Sequence, residues 1–456
     1  MSRLFGTDGV RGIANDELTP ELAYCIGRAG AAVASGREPA CFLVGRDTRA
    51  SGEMLECAVI AGILSTGCWV RRVGVVTTPA LSYLVSKTGC SGGFVVSASH
   101  NPFQYNGIKI LSPEGCKLPD EMEDKIEAAM MKMRLKDDLP RGTQFAVGRL
   151  LEDNQAVRLY VQRVVEVFGE GCLSGLRVVL DCAHGATYQI APEVFRLLGA
   201  EVTVINAQPD GFNINHNCGS TAPKGLSQAV VSTGAQLGIA YDGDGDRAIA
   251  VDEQGNIVDG DQIMAIFADY MAHNGSLKGG AVAATVLSNL GLEIMLAQRG
   301  IRLVRTPVGD KHVFQRMVDL GLNLGGEQSG HIILRDFATT GDGLITSAYL
   351  AWLMKLKGAS LSELARIMEK VPQVALNVVL QDHGLRQKVL KHPKLEELKA
   401  KAQERLGADG RVVVRGSGTE PVIRVLVECR DGSLAGEVAE ELRQGINQLA
   451  SESLSD

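Results

Sequence analysis

Three aspartates separated by single glycines form the most informative motif of the sequence. Asp242, Asp244 and Asp246 follow an apolar segment at 238–241, and a second apolar segment at 248–251 comes directly after them. Three carboxylates held this close repel one another unless a cation lies between them. Carboxylate oxygens are hard ligands that favour Mg2+, Ca2+ or Mn2+ over transition metals. The motif therefore predicts a metal site on a loop between two strands.

Two other interpretations of the aspartate motif remain open. Glu253 stands at the twelfth position of a calcium-binding EF-hand loop counted from Asp242. Arg247 occupies the position that needs glycine, and the flanks favour strands rather than helices, so a magnesium site completed by a phosphate fits better. A solvated acidic turn without an ion is the second alternative. Arg247 either holds a neighbouring phosphate or pairs with an aspartate.

Ser99 is the candidate nucleophile. An apolar run at 93–96 predicts a buried strand, and Pro102 stops its extension, so Ser99 lies in the loop beyond the strand end. His100 is adjacent and Lys109 follows shortly, which supplies a candidate base and a cation to activate the hydroxyl. Ser97 is a rival that we assign to the strand. A serine that only caps or turns the chain is the simpler alternative.

A glycine-rich segment near the C-terminus has the composition of a phosphate-binding loop. Glycines expose backbone N–H groups, hydroxyls donate hydrogen bonds, and arginines offer bidentate contacts to phosphate. The candidate residues are Arg415, Ser417, Gly418, Thr419 and Arg424. The segment lacks the ending of a Walker loop. A hairpin turn with incidental arginines is the alternative.

Two further loops offer groups for an anion and a sugar. Arg11 lies among glycines at 6–12, a pattern that suits close approach to an anion, although a plain turn is equally compatible. Glu327, Ser329 and His331 lie in a glycine-flanked segment, where they can hydrogen-bond the hydroxyls or an amine of a sugar. A buried polar turn is the alternative there.

Composition excludes several classes of protein. The chain has 456 residues and a formal net charge of -7, which argues against a general nucleic-acid binder. Its ten cysteines show no framework spacing and no CxxC pair, so we expect a reducing, cytoplasmic setting and no zinc site. We expect no membrane association, because no apolar run is long enough to span a bilayer.

Alternating strands and helices predict an α/β fold with mostly parallel sheets. We expect an α/β domain at 1–151 with the Ser99 loop, an α/β domain at 152–257 with the metal-binding loop, an α/β domain at 258–370 with the sugar-binding loop, and an α+β phosphate-binding domain at 371–456. A strand ending in Thr-Pro occurs near 75–80 and again near 302–309, which indicates a repeated unit. If so, the 325–331 loop occupies the place of the Ser99 loop. Single helices are predicted over 118–139 and 388–406.

Four motifs in a fixed order make the chain resemble the α-D-phosphohexomutases along nearly its whole length. They are Ser-Ala-Ser-His-Asn-Pro at 97–102, Asp-Gly-Asp-Gly-Asp-Arg at 242–247, Gly-Glu-Gln-Ser-Gly-His at 326–331 and Arg-Gly-Ser-Gly-Thr-Glu-Pro at 415–421. The segments at 6–12, 106–109 and 326–329 look most like those of bacterial members that act on glucosamine phosphates. Members acting on mannose or glucose phosphates more often carry Met at the place of Gln328.

The resemblance implies a fold and a set of residue roles. It implies three related α/β domains and a C-terminal α+β domain around a central cleft. It implies that Ser99 is carried as phosphoserine, and that one Mg2+ per chain binds Asp242, Asp244, Asp246 and the Ser99 phosphate. The remaining matches are Lys109 and His331 for proton transfer, Arg11 and Arg247 near the phosphoryl group, Glu327 and Ser329 on sugar hydroxyls, and Arg415, Ser417, Gly418, Thr419 and Arg424 on the phosphate that does not react.

The resemblance also implies an activity. The expected reaction interconverts glucosamine 6-phosphate and glucosamine 1-phosphate, with glucosamine 1,6-bisphosphate as intermediate and activator, and it feeds amino-sugar nucleotide and cell-wall synthesis. Action on mannose or glucose phosphates is the nearest alternative, and a non-catalytic protein that binds metal and sugar phosphate is an alternative of another class. The expected partner is a small phosphosugar, and the expected assembly is a monomer or a homodimer.

Overall fold

The structure is a computed structural model that describes residues 3–6, 8–35, 40–135, 139–153, 155–417 and 421–455. The strands are β1 (Val10–Ile13), β2 (Cys41–Arg46), β3 (Trp69–Val75), β4 (Gly92–Val96), β5 (Tyr105–Leu111), β6 (Leu150–Glu152), β7 (Arg177–Asp181), β8 (Glu201–Ile205), β9 (Leu237–Tyr241), β10 (Ala248–Asp252), β11 (Ile257–Val258), β12 (Ala281–Thr285), β13 (Arg302–Thr306), β14 (Leu324–Gly326), β15 (Ile332–Leu334), β16 (Gln373–Val379), β17 (Gly410–Gly416) and β18 (Val422–Cys429). The helices are α1 (Pro20–Ser35), α2 (Gly52–Ser65), α3 (Thr78–Thr88), α4 (Asp120–Leu135), α5 (Ala156–Phe168), α6 (Thr187–Leu197), α7 (Lys224–Thr233), α8 (Gly260–His273), α9 (Leu290–Gln298), α10 (Asp310–Leu320), α11 (Gly343–Lys357), α12 (Leu361–Ala365), α13 (His383–Leu390), α14 (Pro393–Leu406) and α15 (Gly432–Ser455). Across these ranges, no helix has both the length and the apolar character that crossing a membrane requires.

The strands form four sheets in chain order. The orders are β1-β5-β4-β2-β3-β6, β11-β10-β9-β7-β8, β13-β12-β14-β15 and β16-β18-β17. We call the four sheets with their helices units one to four. Units one to three mix parallel and antiparallel pairs, and unit four is antiparallel with helices packed on it. The α/β fold with a C-terminal α+β part is therefore confirmed.

Units one to three repeat one topology. In each, a central strand (β2, β7 or β12) pairs in parallel with the next two strands of the chain. The second of these (β4, β9 or β14) then turns into an antiparallel partner (β5, β10 or β15). The repeat expected from the Thr-Pro segments is confirmed by this order. The loops that follow β4, β9 and β14 are equivalent, and they carry Ser99, the three aspartates and Glu327.

The packing joins units one to three more closely than unit four. One apolar cluster contains Leu81 of unit one, Val178 of unit two and Met264 of unit three, each fully or almost fully buried. Unit four has a cluster of its own, between Val378 and Ala450. Burial of apolar surface is the main stabilising contribution, so the first three units form one packed body. The three equivalent loops are thereby held in fixed positions.

Two helix predictions differ from the structure. The helix expected over 388–406 is two helices, α13 and α14, because Pro393 lacks a backbone donor and disfavours helical geometry in the residue before it. His392 caps the second helix by accepting the Lys394 N–H. The helix expected over 118–139 is α4, which ends at Leu135; residues 136–138 lie outside the described ranges.

The predicted domain boundaries remain predictions. β6 spans the boundary set between residues 151 and 152 and pairs with β3 of unit one. β11 spans the boundary set between residues 257 and 258 and pairs with β10 of unit two. Both are short edge strands, whose hydrogen bonds extend each sheet beyond the position where composition suggested a change.

We expect Gly62→Ala to destabilise unit one. A Cβ at Gly62 of α2 would lie 2.3 Å from the Tyr24 carbonyl oxygen of α1, so the two helices would have to separate. Such overpacking costs about 1–3 kcal/mol, which outweighs the gain of about 1 kcal/mol in helix propensity. Scanning calorimetry measures the shift in the unfolding transition.

Gly436→Ala in α15 is the control, because a Cβ at that position has no atom within 4 Å apart from its chain neighbours and the backbone of its own helix. It should leave the transition unchanged or raise it. A Gly62→Ala protein as stable as the wild type would contradict the close helix contact.

Candidate active site

Ser99 lies between units one and two. Its hydroxyl donates to Asp242 Oδ2 at 2.6 Å, and its Oγ is 3.4 Å from His100 Nδ1. The residue is 1% exposed and has a φ of 51°, a left-handed conformation that is uncommon for serine. The predicted position beyond the strand end is confirmed, since β4 ends at Val96. Ser97 also lies beyond that strand, which corrects its assignment to the strand.

One buried arginine holds the loop that carries Ser99. The Arg49 guanidinium, on the loop after β2, donates to four backbone carbonyls. The acceptors are Ser99 at 2.9 Å, Asn101 at 2.8 Å, Pro102 at 2.5 Å and Tyr105 at 3.0 Å. Its side chain is fully buried. A planar guanidinium with several fixed donors can bind several carbonyls at once, which an ammonium cannot do in the same geometry.

Asp47 and Asn215 complete this support. Asp47 Oδ2 accepts from Arg49 Nε at 2.9 Å and from Ser97 Oγ at 2.6 Å. The Ser97 hydroxyl oxygen in turn accepts the Ser99 N–H at 3.0 Å. From unit two, Asn215 Nδ2 donates to the Ser99 carbonyl at 2.9 Å. The left-handed backbone of Ser99 is therefore fixed on both sides.

The three aspartates converge next to Ser99. Asp242 and Asp244 are fully buried and Asp246 is 3% exposed. One carboxylate oxygen from each lies within 4.8 Å of the others. Asp244 Oδ1 and Asp246 Oδ1 are buried and have no hydrogen-bond partner among the described residues. Unpartnered buried carboxylate oxygens are costly, and the all-oxygen donor set fits a hard divalent cation.

Cationic side chains surround the three aspartates. Lys109 Nζ lies 2.8 Å from Asp244 Oδ2, and Arg247 Nε lies 3.8 Å from Asp246 Oδ1. Burial and the charges of Asp246 and Asp244 raise the pKa of Asp242 well above its usual range. Burial would also raise the pKa of Asp246, but Lys109 and His331 reverse this and lower it. The negative charge around Asp242 is thus poorly compensated, which favours its protonated form, whereas Asp246 is paired with cations.

The two candidate proton-transfer groups face the same carboxylate. Lys109 Nζ is 3.7 Å and His331 Nδ1 is 3.5 Å from Asp246 Oδ2. Burial lowers the pKa of Lys109, but Asp244 and Asp246 outweigh it and the net direction is upward. The pKa of His331 is also raised: burial lowers it, but the charge of Asp246 outweighs burial. The Gly341 N–H donates to His331 Nε2 at 3.1 Å and orients the ring.

His100 differs from both groups. Burial first, and then the charges of Arg247 and Arg11, lower the pKa of His100 to about 3. Its imidazole is therefore neutral near pH 7 and can accept a proton only weakly. The raised pKa values of Lys109 and His331 favour their protonated forms, which suits these two groups better than His100 to donating a proton.

A cleft of about 620 Å³ opens in front of this cluster. Predicted site residues that line it are His100, Arg247, Glu327, Ser329, Arg415 and Arg424. The two arginines of unit four are directly opposed on β17 and β18. Burial, and then the Arg424 charge, lower the pKa of Arg415, so a bound anion would relieve repulsion between them. Ser417 follows β17, whereas Gly418 and Thr419 lie outside the described residues.

Arg11 lies near the three aspartates, and Glu327 lines the cleft. Arg11, on β1, pairs with the Asp8 carboxylate, and burial lowers its pKa. Glu327 Oε1 accepts the Gly309 N–H at 3.3 Å, and Glu327 Oε2 accepts from the Ser329 hydroxyl at 3.4 Å. The cleft is therefore lined by predicted site residues from all four units. Their individual roles remain proposals.

Sequence reasoning missed Asp47, Arg49 and Asn215. The available signal was a run of charged residues at 46–49 directly after a buried strand, because ligand-binding groups gather beyond the carboxyl ends of such strands. Asn215 has a φ of 58° and gives no comparable signal in the sequence.

Family models cover almost the whole chain. Models described as phosphoglucomutase/phosphomannomutase alpha/beta/alpha domains I, II and III match residues 2–137, 159–255 and 259–371, and the C-terminal domain model matches 363–445. The chain belongs to the phosphoglucomutase/phosphomannomutase family. This confirms the resemblance to the α-D-phosphohexomutases.

Curated relatives match over the full length. The phosphoglucosamine mutase of Moorella thermoacetica is 48% identical over 452 residues, which is 99% of this chain and 100% of the relative. That of Carboxydothermus hydrogenoformans is 49% identical over 453 residues, which is 98% of this chain and 100% of the relative.

Solved structures share the fold. A phosphoglucomutase/phosphomannomutase family protein from Burkholderia thailandensis has a TM-score of 0.83 at 24% identity and covers 98% of both chains. The N-acetylphosphoglucosamine mutase of Aspergillus fumigatus, in complex with GlcNAc-6P and magnesium, has a TM-score of 0.70 at 17% identity, covering 98% of this chain and 96% of that one.

We expect Arg49→Lys to lower mutase turnover about 10²-fold, because a lysine cannot hold four carbonyls and the Ser99 loop would shift. Steady-state kinetics measure the effect. Arg72→Lys is the matched control, since Arg72 binds Glu56 through Nε and Nη2 outside the cleft. Equal activity of the two variants would contradict the role of Arg49.

Proposed function

We propose that the chain is a phosphoglucosamine mutase that interconverts glucosamine 6-phosphate and glucosamine 1-phosphate, with Ser99 as the phosphate carrier. The proposed chemistry rests on the Ser99 hydroxyl. It is buried and lies 2.6 Å from Asp242, one of the three aspartates that fit a metal ion. Identity near 48% over the full length of proteins named phosphoglucosamine mutase supports the choice of substrate.

The reaction starts from phosphorylated Ser99. A sugar hydroxyl attacks the phosphorus, the bond from phosphorus to Ser99 Oγ breaks, and a new bond to the sugar oxygen forms. The sugar hydroxyl loses its proton to a group of the protein and the departing Ser99 Oγ takes up a proton; Lys109 and His331 are the candidates placed for this exchange. The product of this half-reaction is glucosamine 1,6-bisphosphate. The reverse transfer from the other position of the sugar restores phospho-Ser99.

The donor set next to Ser99 supports a bound Mg2+, one per chain. Asp242, Asp244 and Asp246 would hold it together with the Ser99 phosphate. When bound, the ion would neutralise charge on the transferred phosphoryl group. Arg11 and Arg247 add fixed positive charge at the same place, and Lys109 keeps Asp244 paired.

The remaining groups bind the sugar and its second phosphate. The Glu327 carboxylate would accept hydrogen bonds from the sugar, and the Ser329 hydroxyl would donate one to it. The unit-four residues Arg415, Ser417, Gly418, Thr419 and Arg424 would hold the phosphate that does not react. Both orientations of the bisphosphate then use one fixed phosphate site. Unit four has a separate core, which supports a movement of that unit while the bisphosphate intermediate reverses its orientation in the cleft.

Several finer points belong to the same proposal. Free glucosamine 1,6-bisphosphate would act as activator by phosphorylating Ser99. Ten free thiols support a reducing, cytoplasmic setting. The product would enter amino-sugar nucleotide and cell-wall synthesis, and the assembly would be a monomer or a homodimer.

We expect the purified protein to convert glucosamine 6-phosphate with a kcat/KM at least about tenfold above those for mannose 6-phosphate and glucose 6-phosphate. Coupled assays of each phosphosugar with Mg2+ and a trace of bisphosphate measure the three values. Preference for mannose or glucose phosphate would overturn the substrate assignment in favour of a phosphomannomutase or phosphoglucomutase.

Ser99→Ala is the matched variant in these assays and should lose at least about 10³-fold in turnover. Ser174→Ala, on the exposed surface, is the control. Peptide mass spectrometry should locate the phosphoryl group on Ser99. Wild-type turnover in Ser99→Ala would refute the carrier role, and sugar-phosphate binding without turnover in the wild type would indicate a non-catalytic binding protein.

A further inference from the structure

Lys117 links units one and three outside the cleft. It lies after the turn that follows β5, and its backbone pairs with Leu111 in an isolated bridge. Its Nζ contacts the carboxylate of Asp8 in unit one and that of Asp310, the first residue of α10 in unit three. The side chain is 15% exposed. One ammonium therefore binds two carboxylates from separate units.

Each of these two carboxylates also lies near one of the proposed proton-transfer groups. Asp8 Oδ1 lies 3.3 Å from Lys109 Nζ. Asp310 Oδ2 lies 3.5 Å from His331 Nε2. Lys109 and His331 in turn approach one oxygen of Asp246, at 3.7 Å and 3.5 Å. The contacts close a circuit formed by Lys109, Asp8, Lys117, Asp310, His331 and Asp246.

Lys117 does not line the central cleft. It borders a separate cavity of about 280 Å³ between units one and three, together with Phe314 and Thr339. The contacts that connect Lys117 with Lys109 and His331 run through Asp8 and Asp310. Removing the ammonium would leave two neighbouring, partly buried carboxylates without their shared partner, and they would repel each other.

We propose that Lys117 is a positioning residue that sets the distance between Lys109 of unit one and His331 of unit three. Asp8 and Asp310 transmit the position of Lys117 to the two groups. The role rests on the mutase activity proposed above. Catalytic groups displaced by about 1 Å lose rate without losing substrate contacts, so turnover and affinity should respond differently.

The test compares Lys117→Met with Lys311→Met. Lys311 also joins units one and three, through Asp120 at 2.5 Å and Glu123 at 3.0 Å, but lies outside the circuit. We expect Lys117→Met to lower kcat about 10²-fold with KM within about threefold of wild type. Lys311→Met should keep kcat within about twofold. Lys117→Arg retains the charge, so its kcat should be at least about tenfold higher than that of Lys117→Met.

Asp310→Asn is the second variant, because it removes the charge at nearly constant volume. It should lower kcat as Lys117→Met does, and the double variant should be no slower than either single one, since both break one link. Thermal unfolding verifies that each variant is folded. If Lys117→Met is unfolded, the kcat of Asp310→Asn is compared with that of Lys311→Met instead. A kcat within about twofold of wild type, an equal loss in Lys311→Met, or additive losses in the double variant would overturn the proposal. An inactive wild type would instead refute the mutase activity.

Discussion

Mutual repulsion between three buried aspartates is the constraint on which the rest of the structure depends. Asp242, Asp244 and Asp246 cannot all be charged in a buried site without positive charge around them. Lys109 and His331 lower the pKa of Asp246, whereas the pKa of Asp242 is raised well above its usual range. The protein's own cations thus leave part of the negative charge unbalanced. A divalent cation would balance it, and the phosphate on Ser99 would supply further oxygen ligands to that ion.

This constraint explains why three sheets are required. The aspartates follow β9, the serine follows β4, and the histidine lies between β14 and β15. One repeated topology places these loops at corresponding ends of their sheets, and a shared apolar core fixes the sheets relative to one another. Unit four contributes Arg415 and Arg424 from a separate core. The loops with Ser99, the aspartates and His331 thus belong to one packed body, while the proposed phosphate-binding side belongs to a unit with a core of its own.

Local patterns predicted the parts of the site that lie within one loop. The alternating aspartates, Ser99 beyond its strand and the glycine-rich loop of Glu327 were all visible, because one short segment supplies each. The contacts of Arg49 and Lys117 were not, because their partners are distant in the chain: Lys117 and Asp310 are 193 residues apart. A single sequence contains no information on such pairs until the sheets are assembled. The helix break at Pro393 was visible in the sequence, and helical charge patterning was wrongly given more weight.

Electron paramagnetic resonance of the Mn2+-loaded protein tests the central claim most directly. We expect a bound Mn2+ whose signal shows hyperfine coupling to phosphorus when mass spectrometry confirms phospho-Ser99, and no such coupling in Ser99→Ala. Asp244→Asn should weaken Mn2+ binding at least about tenfold, because it removes one carboxylate charge from the ligand set. Failure of Mn2+ to bind the wild type, or bound Mn2+ without phosphorus coupling in fully phosphorylated protein, would contradict the joint metal and phosphate site.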